Sequence, residues 1–373
     1  MNRVRKPVKA RSGFDWRWVG ARLLLLIPAI QLYVTLASVR APEDSDYNIL
    51  YVHAEMARSN ETLYWAWPEY GPHFGTSGLR FPADRVFYPP FLTPGLSLVT
   101  RWGIDAFANL WFVLLWAAYW VYAGALAKLA HGRVRIGPTV AWGVALFLLT
   151  GRSAQSAVNL GNVDPILWAI FGLALAYPAA RGIGFMSMAL VKLYGVWPLV
   201  FAAARREWRT VRAAGATLLG ACLLVALILG PTTFVRESLA WFQYMLPVGG
   251  QGTFNDYNIS ISFFGLRVAR WLGWWDYTAG PLPGSARTYL TLMGIAAPVI
   301  TGWLLRRSDR RLQYALIVCA AVFFGPLAWN FYSALLLAPI AIWFGMRSEA
   351  TDDERANVSA SRAGADLVPA EAR

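Results

Sequence analysis

The sequence predicts an all-α polytopic membrane fold, and three observations carry that reading. Apolar runs without charge recur along the chain, from residues 23–39 to residues 312–346. Basic residues cluster at the ends of such runs, at Arg133/Arg135, Arg205/Arg206/Arg209/Arg212 and Arg306/Arg307/Arg310/Arg311. The remaining polar residues gather on the side opposite those clusters.

Composition supports the same class. A mean hydropathy of +0.41 with 57% hydrophobic residues argues against a pair of soluble domains. Nineteen Trp and sixteen Tyr suit a chain with many membrane–water interfaces, where amphipathic rings settle. A net charge of +13 would suit a nucleic-acid binder if it were spread over one face. Confined to segment ends, it marks cytoplasmic loops, with membrane lipid headgroups rather than nucleic acid as the partner. Cys222 and Cys319 both lie in apolar runs, which argues against a disulfide framework.

Residues 1–17 read as a basic cytoplasmic arm, held inside by Arg3, Arg5, Lys6, Lys9 and Arg11. Residues 18–39 follow as the first span, a retained signal anchor. Residues 40–87 form an external loop, too polar to cross. From Asp46, the pattern Tyr47, Leu50, Tyr51, Ala54 predicts a short amphipathic helix lying on the membrane. Asp46 and His53, two helical turns apart, would share a face of it.

Residues 89–99 are apolar but too short to cross, and their prolines predict an interfacial or re-entrant helix. Residues 106–127 run inward to Lys128, His131, Arg133 and Arg135, and residues 136–151 return. Residues 165–180 go back in and stop at Arg181. Residues 183–204 carry basic residues at both ends and Lys192 in the middle. One span would put a basic cluster on the wrong side. Two half-helices broken near Gly195 and Pro198 satisfy the charge rule and bring Lys192 to membrane depth.

Residues 213–230 cross outward to a second external region, 231–287, and residues 288–305 cross back. Residues 312–346 are long enough for two spans, reversing near Pro326–Tyr332. Residues 347–373 read as a disordered cytoplasmic tail. The transmembrane domain is then 18–346, with about eight full spans plus the half-helix pair and both termini inside.

Several residues stand out chemically. Asp46, beside the membrane surface, reads either as a general base or its ion-pair partner, or as an ordinary helix N-cap. Lys192 suits the phosphate of a lipid-linked substrate, the alternative being a lysine that snorkels to the interface. Arg267 is a second phosphate candidate, or else part of an amphipathic surface helix. Asn159, Asn162 and Asp164 offer amide and carboxylate groups of the kind that bind sugar hydroxyls, or simply cap a turn before Pro165. Trp329, Asn330 and Tyr332 offer stacking and hydrogen bonding, or aromatic-belt anchoring. No P-loop, GxGxxG or GxSxG motif and only three His occur, so neither a cofactor nor a catalytic metal is expected.

Taken in order, these motifs resemble glycosyltransferase family 87 of the GT-C superfamily, over about residues 23–345. The matching residues are Asp46-Tyr47, Phe87-Tyr88-Pro89-Pro90, Gly161-Asn162-Val163-Asp164 and Lys192-Leu193-Tyr194. Asn258-Ile259-Ser260 with Arg267, and Pro326-Leu327-Ala328-Trp329, complete the set. The resemblance implies a GT-C-type helical bundle in the inner (plasma) membrane, with its active site on the external face in loop 40–87. It implies transfer of a hexose, usually mannose, from a polyprenyl-phosphate donor to a lipid-linked or cell-surface glycan acceptor, with inversion. Asp46 would deprotonate the acceptor, and Lys192 and Arg267 would hold the donor phosphate. Tyr47, Tyr88, Asn159, Asn162, Asp164, Asn258, Ser260, Trp329, Asn330 and Tyr332 would bind sugar or acceptor. The family often carries His just after the Trp of its last motif, where this chain has Asn330 and Phe331. A lipid-linked-sugar transporter or flippase, or a non-catalytic partner in glycan assembly, is the competing expectation.

Overall fold

The long apolar runs fold as helices, and several of them pack around one long apolar helix. A computed structural model describes residues 20, 23–37, 46–59, 63–64, 73–74, 80–81, 88–150, 153–250, 260–274, 284–325, 328 and 330–365. Fifteen α-helices hold most of these residues. The first half contains α1 (Leu26–Ala37), α2 (Asp46–Arg58), α3 (Thr93–Leu96), α4 (Ile104–His131), α5 (Ile136–Leu149), α6 (Ser153–Asn159) and α7 (Asp164–Ala176). The second half contains α8 (Arg181–Lys192), α9 (Val196–Ala204), α10 (Trp208–Leu229), α11 (Pro231–Gly250), α12 (Ile261–Trp271), α13 (Gly284–Leu304), α14 (Arg310–Phe323) and α15 (Leu337–Ala365). A small antiparallel rung pairs His73 with Phe81 and Phe74 with Arg80.

Helix α4 is the spine. It packs on α7, α15, α5 and α1, and its inward face buries Phe107, Trp111, Phe112, Leu115, Tyr119 and Tyr122. Helices α4 and α10 are long and apolar enough to cross a membrane, and α1, α5 and α7 are shorter apolar helices. Small residues set the close crossings. At Gly172 a Cβ would meet Ala125 Cβ and Tyr122 Cδ2 at 2.8 Å, so only glycine lets α7 lie against α4.

The expected helix break falls within residues 181–204. Helix α8 ends at Lys192, Leu193 takes φ +51°, and α9 begins at Val196. A Cβ on Gly195 would collide with the Phe185 carbonyl oxygen, so the chain doubles back against its own preceding helix. Both halves pack on α10.

Two expectations are corrected. Helix α2 does not lie on a surface, because every residue from Tyr47 to Ala57 is buried, including Asn48, His53 and Glu55. Two of its polar side chains are met internally: His53 Nε2 donates to Leu63 O at 3.2 Å, and Glu55 pairs with Arg58 at 3.7 Å. Further along, the chain from Arg347 is not disordered over its described part, since α15 continues to Ala365. Its Ala, Glu and Arg are strong helix formers, and mean hydropathy does not register that.

Candidate active site

The turn between α6 and α7 grips the start of α2. Asp46 N–H donates to Leu160 O at 2.7 Å, and Asn162 Nδ2 donates to Asp46 Oδ2 at 2.8 Å. Gly161 makes this approach possible. Its φ is +71°, and a Cβ there would lie 2.8 Å from Tyr47 Cβ. Its carbonyl oxygen accepts from Trp111 Nε1 at 2.8 Å, which ties the turn to the α4 spine.

Asn162 is held on both sides. Its Oδ1 accepts from the Asp164 backbone N–H at 3.0 Å, so its nitrogen is the end that faces Asp46. Asp164 begins α7, with Pro165 in the first turn as helix starts favour. Its carboxylate is buried and takes Lys192 Nζ at 2.7 Å. Asp164 Oδ1, also buried, has no hydrogen-bond partner among the described residues. A buried acceptor left unmet costs about 1–3 kcal/mol, a debt that a bound hydroxyl would cancel.

Around the ion pair stand three tyrosines. Lys192 Nζ lies 3.3 Å from Tyr332 Oη, and 5.3 and 5.8 Å from the ring centroids of Tyr332 and Tyr88. Tyr194 meets Tyr332 edge-on at 5.6 Å. Burial pushes the Tyr88 phenol well above its usual range, and the charges of Asp46 and Asp164 push the same way. Tyr88 is therefore a neutral donor at any physiological pH. Its backbone oxygen accepts from Tyr64 Oη at 2.6 Å.

The cluster thus unites Asp46, Asn162, Asp164, Lys192, Tyr88 and Tyr332 from five separate stretches of sequence. Other expected residues fall elsewhere. The Tyr47 ring turns into the core against Phe112, 5.5 Å away. Asn159 accepts from Gln155 Nε2 at 2.7 Å, and Gln155 in turn bonds Gln31 of α1. Ser260 caps α12 and donates to Gly325 O at 2.5 Å, which is a packing role. The Arg267 guanidinium lies 5.8 Å from the Phe263 ring of the same helix. Asn258, Trp329 and the Asn330 side chain lie outside the described residues.

Two further residues were not singled out as site residues. Tyr194 closes the Lys192-Leu193-Tyr194 motif but is given no role of its own there. Glu237 of α11 is fully buried, accepts Leu63 N–H at 2.9 Å and pairs with Arg236 at 2.7 Å. Nothing local marks its burial, because the backbone N–H that it accepts lies 174 residues away.

Residues 87–339 match glycosyltransferase family 87, and this stretch holds every member of the cluster except Asp46. No curated protein and no solved structure matches the chain. A match over more than half of the 373 residues decides the matter: the chain belongs to glycosyltransferase family 87 and is a membrane glycosyltransferase.

Proposed function

We propose that this enzyme moves a hexose, mannose in the first instance, from a polyprenyl-phosphate donor to a lipid-linked or surface glycan acceptor at the external membrane face. The observation that carries this reading is one carboxylate standing beside a buried ion pair. Asp46 is held by Asn162, and Asn162 is held by Asp164, which pairs with Lys192.

Asp46 takes the proton of the acceptor hydroxyl as that oxygen attacks the anomeric carbon. The bond from that carbon to the phosphate oxygen breaks with inversion, and polyprenyl phosphate leaves. Lys192 meets the negative charge that grows on the phosphate. Asp164 Oδ1 and the neutral Tyr88 and Tyr332 hydroxyls offer an acceptor and donors to sugar hydroxyls. A phosphate leaving group already attached to the sugar needs no nucleotide.

The role of Arg267 is proposed on its place in the family motif rather than on any contact with Lys192. The domain layout proposed is a GT-C-type bundle over 18–346 with about eight full spans, and residues 40–87 and 231–287 outside. The α8–α9 reversal and the two membrane-length helices support it.

The test is incubation of the purified protein with labelled polyprenyl-phosphate-mannose and host lipid extract. A labelled product from wild type, reduced about 10²–10⁴-fold in Asp46→Asn, is the expected result. An equally active Asp46→Asn enzyme overturns the assignment of the base. Lipid-linked sugar that crosses vesicle membranes without a new glycosidic bond overturns transfer itself.

A further inference from the structure

We propose a second binding site, for an anionic glycerophospholipid, in a trough walled by α1 and α5 and floored by α4. The trough holds about 610 Å³. Pro28 and Leu32 form one wall, Val140 the other, and Trp116 and Trp120 the floor.

The floor is apolar for a specific reason. Trp116 Nε1 donates to Pro28 O at 2.9 Å, and Trp120 Nε1 donates to Gln31 Oε1 at 2.6 Å. Both indole N–H groups are thereby consumed by α1, and the ring faces that remain line the trough with hydrocarbon. Water gains nothing in such a space, since it needs two or more polar partners. A hydrocarbon chain does.

The mouth supplies the charge. Arg135 lines the trough where α5 begins, and both it and Arg133 are exposed. Lys128 is turned elsewhere, 3.9 Å from the Tyr177 ring centroid. The chain carries no Asp or Glu between Asp105 and Asp164, so this basic turn has no carboxylate nearby in sequence. An acyl chain in the trough brings its own phosphodiester to Arg135, with Arg133 two residues away in the same turn, a combination that basic pockets between membrane helices accept. Because 128–135 is proposed to face inward, the lipid comes from the cytoplasmic leaflet. None of its lining residues belongs to the Asp46 cluster, and it does not depend on the proposed reaction.

Full-length protein in detergent, titrated with phosphatidylglycerol and with phosphatidylcholine of the same chains, tests it by native mass spectrometry. Preferential retention of phosphatidylglycerol is expected. Each arginine lost in Arg133→Ala/Arg135→Ala lowers that preference about fivefold, and Arg135→Lys keeps most of it. Ala29→Trp, on an exposed wall position, fills the trough and lowers retention of both lipids. Since Arg133 and Arg135 are exposed, folding does not confound their loss. Equal retention of the two lipids, or a preference unchanged by removing both arginines, overturns the proposal. So does stronger retention of polyprenyl phosphate, or a Leu25→Cys crosslink between two copies, because either names a different occupant.

Discussion

Asn162 Nδ2 stands 2.8 Å from Asp46 Oδ2, a side-chain bond that joins the start of α2 to the family domain beside the backbone bond from Asp46 N–H to Leu160 O. A hydrogen bond to a charged group contributes about 1.5–3 kcal/mol. Asn162→Ala is therefore expected to lower kcat by about 10–100-fold, with KM little changed. Asn162→Asp should lose more, because it sets a like charge against the base. Steady-state kinetics with saturating acceptor check both, and an Asn162→Asp enzyme as active as wild type would contradict the geometry.

The Asp164–Lys192 pair gives a prediction about stability. Removing one partner from a buried pair costs about 3–5 kcal/mol, because the other charge is left unmet. Lys192→Met and Asp164→Asn should each lower the unfolding temperature strongly. The double variant should recover part of either loss, and thermal unfolding of all four proteins in one detergent gives the coupling directly. Activity should be lost in every variant, whatever happens to stability.

Gly161→Ala is expected to behave as a severe variant. Its φ of +71° costs an L residue about 1–2 kcal/mol, and the new methyl group would press on Tyr47 Cβ. The turn must open, Asn162 moves off Asp46, and transfer falls along with stability. Gly137→Ala, where a Cβ meets nothing within 4 Å, is the matched control that should leave both unchanged.

His53 makes stability depend on pH. Burial lowers it from 6.5 to about 4, only partly offset by its hydrogen bond to Leu63 O. The unfolded chain therefore takes up this proton first as pH falls. The contribution of neutral His53 is whole above pH 6.5 and is lost progressively down to about pH 4, a few kcal/mol in all. His53→Gln should flatten the unfolding midpoint across that window, although it starts lower at pH 7.

Much of this architecture was legible because charge and hydropathy report on membrane geometry. Basic residues on both sides of 183–204 argue against one unbroken helix there, and the chain does break, between Lys192 and Val196. The order of motifs also pointed to Asp46, Asn162, Asp164 and Lys192. What periodicity could not tell was which polar residue points where. Asn159 and Asn162 are equally polar, yet Asn159 faces Gln155, one helical turn back, and Asn162 faces Asp46. Likewise, α2 has the composition of a surface helix, because polar groups that are satisfied by partners such as Leu63 O look no different in sequence from polar groups that are solvated. Ser260 read as a ligand for sugar and is a helix cap, since one hydroxyl serves either purpose.

The α8–α9 reversal has an electrostatic consequence. Lys192 sits on the last turn of α8, where unpaired carbonyls favour a cation, and Asp164 sits on the first turn of α7, where unpaired N–H groups favour an anion. Each charge is thus stabilised by its own helix end, by about 0.3–1 kcal/mol in exposed settings and up to about 2 when partly buried. The pair has a polarity set by chain direction. An exchanged pair, with Lys at 164 and Asp at 192, would keep the Coulomb attraction while opposing both helix ends.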